Sequence, residues 1–153
     1  MTSTEIRTAC LAQGLLLATQ QAYVLATVEH ETAGTFQPVK EAYWLKDPDK
    51  WLKEHHPEYY PYYGRGFNQL TWKENYAKYS KITGKDLVKY PDLVLDPELA
   101  LFILIHGFKT GILTGKKITD YINKNKTDFV GARRCINGTD KALHIANLAR
   151  KYL

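Results

Sequence analysis

The sequence predicts a mainly α-helical fold with at most a short β-hairpin. Alternation of apolar and polar residues, the pattern of a half-buried strand, is scarce along the chain. Helix starts are well marked, most clearly at Asp96-Pro97-Glu98, where a capping residue precedes a proline at the first helical position. The chain has 153 residues, of which 44% are hydrophobic and 24% charged, so it can bury a core and is not disordered. We therefore expect one domain spanning residues 1–153.

The first two helices are expected near the N-terminus. Ser3 or Thr4 can cap a helix that runs to about Thr19, because either hydroxyl can accept a bond from a free backbone N–H. A second, apolar helix is expected over residues 20–32. Gly34 suits the left-handed position directly after it.

The remaining elements follow from turn residues and apolar runs. Residues 35–66 contain four prolines and eight of the nineteen aromatic residues, which predicts an irregular functional loop or small lobe. Residues 99–108 are apolar on nearly every side, which predicts a buried central helix. Three more helices are expected at 69–81, 129–136 and 139–152, the last capped by Thr139, and a further helix is expected to start at 119–122.

The charge of the chain is unevenly distributed. The net charge is +5, but residues 1–75 carry a net −2 and residues 76–153 a net +7. A basic excess favours an anionic partner. We do not expect that partner to be nucleic acid, because the basic residues are scattered and the aromatic residues concentrate in the acidic half. We expect no stable membrane insertion, since the longest apolar run, Leu99–Ile105, is far shorter than the roughly 20 residues that span a bilayer.

Other residue classes give weaker signals. The chain has two cysteines, Cys10 and Cys135, outside any CxxC pair, which are most simply interpreted as buried thiols, although one bridge between them stays open. The segment 10–18 is apolar, but Gln20 and Gln21 stand where a signal peptide would need small residues, so we expect no cleaved signal. No histidine pair has the spacing of a zinc peptidase.

The strongest chemical signal is a pair of glutamates, Glu31 and Glu41. Glu31 follows Glu29 and His30 in the last turn of the second predicted helix, where the partial negative charge favours the protonated form that a general acid needs. Glu41 lies ten residues further on, in an aromatic loop. Two carboxyl groups in different environments are what a glycosidase requires, although each glutamate alone also fits a plain surface position.

A tyrosine-rich segment follows the glutamates. Four of the five residues 59–63 are tyrosines, and each hydroxyl needs a partner or water. Tyr62 and Tyr63 are candidates for stacking on sugar rings, with core packing as the alternative. Thr71 and Asn75 are four residues apart, so a helix over 69–81 would place both on one face beside Gln69.

Four segments occur in an order that resembles the family 19 glycoside hydrolases, in particular the short phage and prophage lysozyme-type endolysins. They are HETAG at 30–34, PVKEAYW at 38–44, YYGRGFNQLTWKENY at 62–76 and GARRCINGTD at 131–140. The resemblance covers residues 20–153. It implies a lysozyme-like fold with two lobes around a cleft, hydrolysis of a β-1,4 bond between amino sugars, and no cofactor or metal ion.

The resemblance also implies roles for individual residues. Glu31 matches the general acid, Glu41 the base that activates water, and Thr71 the hydroxyl that helps hold that water. Three amide side chains match substrate-binding positions: Gln69, Asn75 and Asn137. Asn68 departs from the family pattern, which more often has an apolar residue there.

The charge favours peptidoglycan as the substrate, since its polymers carry negative charge whereas chitin is neutral. The alternatives are a chitinase and, from another class, a non-catalytic cell-wall glycan-binding protein. We expect a monomer that is made in the bacterial cytoplasm and acts on the cell wall.

Overall fold

The computed structural model describes all residues, Met1–Leu153. Helices account for 52% of the chain and the strands form two small sheets, which confirms the mainly α class. The α-helices are α1 (Ser3–Ala12), α2 (Ala18–Glu31), α3 (Pro48–His55), α4 (Lys73–Thr83), α5 (Pro97–Thr110) and α6 (Ala142–Lys151). The strands are β1 (Val39–Lys40), β2 (Arg65–Gly66), β3 (Ile122–Asn123) and β4 (Lys126–Thr127). Short 3₁₀ helices cover Pro91–Leu95, Ile118–Asp120 and Gly131–Cys135.

The chain divides into two compact units. The first contains Met1–Phe36 and Leu101–Leu153, and the second contains Gln37–Ala100. The first unit thus joins the two ends of the chain, and the irregular region expected at 35–66 falls almost wholly in the second. None of the helices combines the length and the hydrophobicity that crossing a bilayer requires.

The core of the first unit forms around α2. Every residue from Ala22 to Val28 is fully buried, and this helix packs against α1 and α6. Helix α6 turns Ile145, Ala146 and Ala149 inward. Burial on all sides fixes α2, so its last turn presents a defined set of side chains.

The second unit is organised around a short antiparallel sheet and an aromatic cluster. Strands β1 and β2 pair Val39 with Gly66 and Lys40 with Arg65. Beside the sheet, a core of Ala42, Leu52 and Tyr63 is covered by partly buried side chains: Leu45, Trp51, Tyr59 and Tyr60. The tyrosine-rich segment therefore builds much of the core of this unit.

The ends of the first two helices differ from the sequence expectation. Helix α1 is capped by Thr2, not by Ser3 or Thr4, and Glu5 completes the capping box. It ends at Ala12, and Gly14 follows with a φ of +88°.

Two residues at the end of α2 have left-handed backbone angles: Ala33 with a φ of +51° and Gly34 with a φ of +81°. The amides of Ala33 and Gly34 donate to the carbonyls of His30 and Glu29, which is the double closure of a Schellman motif. Gly34 thus occupies the second position after the cap, one residue later than predicted.

Other elements need larger corrections. Helix α3 was not expected, and α4 begins at Lys73 because the backbone of Trp72 adopts a φ of +76°. Where a helix was expected to start at 119–122, a 3₁₀ turn is followed by a β-hairpin, β3–β4. The helix expected at 129–136 is a 3₁₀ helix over Gly131–Cys135. Helix α6 begins at Ala142 after a left-handed Lys141, so Thr139 is not its cap. The predicted start of α5 is confirmed, since the Leu99 amide donates to Asp96 Oδ2 at 3.0 Å.

Candidate active site

Glu31 forms an ion pair with Arg133. The Arg133 Nη1 atom donates to Glu31 Oε1 at 3.1 Å. The Arg133 side chain is 2% exposed and the Glu31 side chain is 15% exposed. The Nε atom of Arg133 donates to the Asp140 carbonyl at 2.8 Å. A buried guanidinium without a carboxylate partner would be costly, so this arginine fixes where the Glu31 carboxylate lies. Arg133 lies in the segment GARRCINGTD, but its sequence context indicates no role for it.

Tyr23 lies on the same helix as Glu31, two turns earlier. Its ring is fully buried, edge-on to Phe108 and stacked on Phe129, and its hydroxyl has no hydrogen-bond partner. Burial raises the pKa of Tyr23, and the nearby positive charge of Arg133 opposes that rise. The tyrosine therefore stays protonated and contributes no charge to the surroundings of Glu31.

His30 packs against His144 of α6, with ring centroids 5.2 Å apart. Burial lowers the pKa of His30, although the neighbouring Glu31 carboxylate acts in the opposite direction. The imidazole is therefore neutral at neutral pH. His30 is thus a packed histidine beside Glu31.

Glu29 is bonded to two residues at the end of α6, and neither of them bonds Glu31. Its Oε1 atom accepts from Lys151 Nζ and from the Tyr152 hydroxyl, each at 2.8 Å. Burial tends to raise the pKa of Glu29, but these two hydrogen bonds outweigh it and the pKa is lowered. Glu29 therefore ties the end of α2 to the end of α6.

Asn137 lies on an exposed turn of the first unit. Its backbone amide donates to the Arg133 carbonyl at 2.9 Å, and its own carbonyl accepts from the Asp140 amide at 3.2 Å. Of the predicted site residues, Glu31 and Asn137 are the two in the first unit, and the structure connects them through Arg133.

The second unit holds Glu41 by both carboxylate oxygens. Oε2 accepts from the Tyr59 hydroxyl at 2.6 Å, and Oε1 accepts from the Gly64 amide at 3.0 Å. The Glu41 amide in turn donates to the Gly64 carbonyl at 2.7 Å. No cation bonds this carboxylate, in contrast to Glu31.

Gln69 contributes to this support. Its Nε2 atom donates to the carbonyls of Val39 and Gly66, at 3.0 and 3.3 Å, so its amide nitrogen spans the ends of β1 and β2. A Cβ on Gly64 would lie 2.7 Å from Gln69 Oε1, so glycine is required where the two meet. The amide nitrogen of Gln69, which was predicted to bind substrate, therefore bonds to the protein itself.

Thr71 and Asn75 come together, but not as expected. Thr71 precedes α4 and does not share its face, because Trp72 interrupts the backbone between them. Asn75 Nδ2 nevertheless donates to the Thr71 carbonyl at 2.8 Å, and the Thr71 hydroxyl donates to the Gln69 carbonyl at 2.8 Å. The hydrogen bonds link the three predicted residues in one chain.

The two candidate stacking tyrosines differ in exposure. Tyr63 is 1% exposed, and the Arg65 guanidinium covers its ring at 3.8 Å, which favours the packing interpretation over sugar stacking. Tyr62 is partly exposed, and its hydroxyl donates to the Val88 carbonyl at 2.9 Å. Three rings that sequence analysis did not single out are exposed instead, namely Tyr43, Trp44 and Trp72.

Arg65 is a second buried arginine that sequence analysis missed. It donates to the Tyr76 hydroxyl at 2.9 Å and to Asp92 at 2.8 Å, and its side chain is 4% exposed. These bonds fix β2, on which the Gly64 amide depends.

Neither a reactive cysteine nor a metal site is found elsewhere in the structure. Both cysteines are free and buried, and burial raises the pKa of each thiol to about 12, as expected of inert buried thiols. No three metal-ligating side chains come together.

Comparison with known proteins finds no matching family model and no matching curated protein.

Proposed function

We propose that the protein is a glycoside hydrolase that degrades peptidoglycan by cleaving β-1,4 bonds between amino sugars. The observation that carries the proposal is that both carboxyl groups are held in place, Glu31 by a buried arginine and Glu41 by two neutral donors. An ion pair with arginine does not favour the protonated Glu31 that was expected at the helix end, so the acid role of Glu31 comes from the resemblance. Two carboxyl groups with different surroundings are what acid and base catalysis at one bond requires. Both glutamates lie in segments that resemble the family 19 glycoside hydrolases.

In the proposed mechanism Glu31 protonates the glycosidic oxygen as the bond breaks. Arg133 then stabilises the carboxylate that Glu31 becomes once it has given up its proton. Glu41 takes a proton from a water that Thr71 helps to hold, and that water attacks the anomeric carbon from the opposite face. Inversion of this kind needs the two carboxyl groups about 6.5–9.5 Å apart.

A lysozyme-like arrangement of two lobes around a cleft belongs to the same proposal. The division of the chain into two compact units, with Glu31 in one and Glu41 in the other, supports it. The exposed rings of Trp44 and Trp72 in the second unit are suited to contacts with sugar faces.

Peptidoglycan is favoured over chitin by a lysine-rich segment of the first unit. Five lysines between residues 109 and 126 are exposed and lie outside the ion pairs of the structure: Lys109, Lys116, Lys117, Lys124 and Lys126. The one carboxylate among them, Asp120, is bonded to the Lys117 amide. These unmatched charges favour an anionic wall polymer, and binding through them weakens as salt is added.

Mass spectrometry of products from purified peptidoglycan and from chitin oligomers tests the function. Muropeptides with new reducing ends, formed by wild type and not by Glu31→Gln, are expected. Cleavage of chitin alone would favour the chitinase alternative. Binding to walls without any new reducing end would favour the glycan-binding alternative.

A matched charge experiment tests the substrate preference. Replacing Lys116, Lys117 and Lys124 by glutamine should weaken wall binding and its salt dependence. The control variant replaces three exposed lysines of the second unit, Lys50, Lys53 and Lys81. Equal binding by the two variants would contradict a role for the lysine-rich segment.

A further inference from the structure

The hydroxyl of Tyr59 makes the shortest hydrogen bond to Glu41, 2.6 Å from Oε2. The ring of Tyr59 is fixed on two sides, since it stacks on His56 at 5.1 Å and meets Trp72 edge-on at 5.3 Å. It also packs against the core cluster of the second unit. A donor held this firmly determines the direction of the carboxylate it binds.

We propose that Tyr59 is a positioning residue for Glu41, holding its carboxylate in the orientation in which it accepts a proton from water. The proposal rests on the proposed function, since it assigns Tyr59 to the base of that reaction. A hydroxyl whose ring is fixed by packing sets the direction of the carboxylate oxygen that accepts from it. The Gly64 amide acts in the same sense on the other oxygen.

The Tyr59 hydroxyl is a donor at neutral pH. Burial and the hydrogen bond to Glu41 raise the pKa of Tyr59, so the phenol stays protonated there. Each carboxylate oxygen has two acceptor sites, so one bond per oxygen leaves room for a water. Tyr59 therefore orients the base without occupying it fully.

The other titratable side chains near Glu41 are bonded to partners other than Glu41. His56 pairs with Glu58 at 3.0 Å, and Lys40 pairs with Asp49 at 3.7 Å. Tyr76 of α4 donates to the Tyr63 carbonyl at 2.6 Å. Among these groups, Tyr59 is the one whose side chain bonds the Glu41 carboxylate directly.

Removal of this one hydroxyl has a distinctive expected effect. In Tyr59→Phe the ring packing is retained, but the ionised carboxylate loses a charge-assisted hydrogen bond. The carboxylate is then free to turn away from the water it activates. We expect kcat to fall about tenfold while KM stays close to that of wild type.

Tyr60→Phe is the matched control. Tyr60 packs against the same core cluster, beside Tyr63, and has no bond to Glu41. A purely structural role for Tyr59 would lower the melting temperature of Tyr59→Phe and leave its kcat equal to that of Tyr60→Phe. An unchanged kcat in a folded Tyr59→Phe variant would overturn the proposal.

A measurement on the free protein separates this proposal from the proposed function. Carbon-13 NMR at one fixed pH records the Glu41 carboxyl signal, with Glu41→Gln used to assign it. Loss of the hydrogen bond from Tyr59 should move this signal in Tyr59→Phe and leave it in place in Tyr60→Phe. Equal signals in all three proteins would overturn the role of Tyr59, whereas a moved signal in a protein that cleaves no glycan would overturn only the proposed function.

Discussion

The two glutamates are held in opposite ways. Glu31 ends a buried helix and is bonded by a guanidinium that is itself almost wholly buried. Glu41 lies in a loop and is bonded by a phenol and a backbone amide, both neutral. The comparison teaches that one residue type can be held by a cation in one unit and by neutral donors in the other, which gives the two carboxyl groups different surroundings.

The largest expected effect is on turnover. Glu31→Gln should lower the rate of peptidoglycan cleavage by about a thousandfold, because the amide has no proton to give to the leaving oxygen. The amide oxygen can still accept from Arg133, but the buried guanidinium loses its counter-charge, so some loss of stability is expected beside the loss of activity. Reducing-end assays at matched circular dichroism measure this, and wild-type turnover would show that Glu31 is not the acid.

Removal of the cation should cost stability. Arg133→Met leaves Glu31 without its partner and should lower the free energy of unfolding by about 3 kcal/mol. Arg134→Met, one residue further on and exposed, is the control. Urea unfolding compares them, and equal stability of the two variants would contradict the view that the pair fixes Glu31.

The neutral support depends on packed rings. Tyr63→Ala should cost about 3–4 kcal/mol, because it opens the core of the second unit beneath Arg65. Trp44→Ala, at a ring 71% exposed, should cost less than about 0.5 kcal/mol. If thermal unfolding finds Tyr63→Ala as stable as wild type, the packing interpretation fails and sugar stacking regains support.

The smallest of these effects concerns Glu29. It lies two residues before Glu31, and its hydrogen bonds serve to hold the fold together. Glu29→Gln should cost about 0.5–1 kcal/mol at pH 7, a modest value because Lys151 is largely exposed. Since folding lowers the pKa of Glu29, its contribution is present above its ordinary value of 4.5 and is lost as the pH falls through the folded value. Unfolding titrations at pH 7 and pH 3 measure the difference, and a pH-independent cost would contradict the hydrogen-bonded carboxylate.

The sequence predicted where the glutamates lie but not what holds them. Helical periodicity and capping residues are local signals, and they placed Glu31 within the last turn of α2. Its partner, Arg133, is 102 residues away, and the partner of Glu29, Lys151, is 122 residues away. Contacts of this separation follow from tertiary packing, which a single sequence does not reveal.

Some misses had a usable signal. Helix α3 starts at Asp47-Pro48 with the Lys50 amide bonded to Asp47, the same combination of capping residue and proline that correctly predicted α5. The aromatic content of residues 35–66 masked it. The left-handed Trp72 had no such signal, because tryptophan at positive φ is stabilised only by its surroundings.

The anomeric configuration of the first product tests the central claim most directly. Proton NMR during cleavage of a soluble peptidoglycan oligosaccharide distinguishes the two anomers before they interconvert. The account predicts that the β-linked substrate releases the α-anomer first, with Glu31 as acid and Glu41 as base. Release of the β-anomer first would contradict it, since retention requires a nucleophile other than water at the anomeric carbon, either a carboxylate or the acetamido group of the substrate.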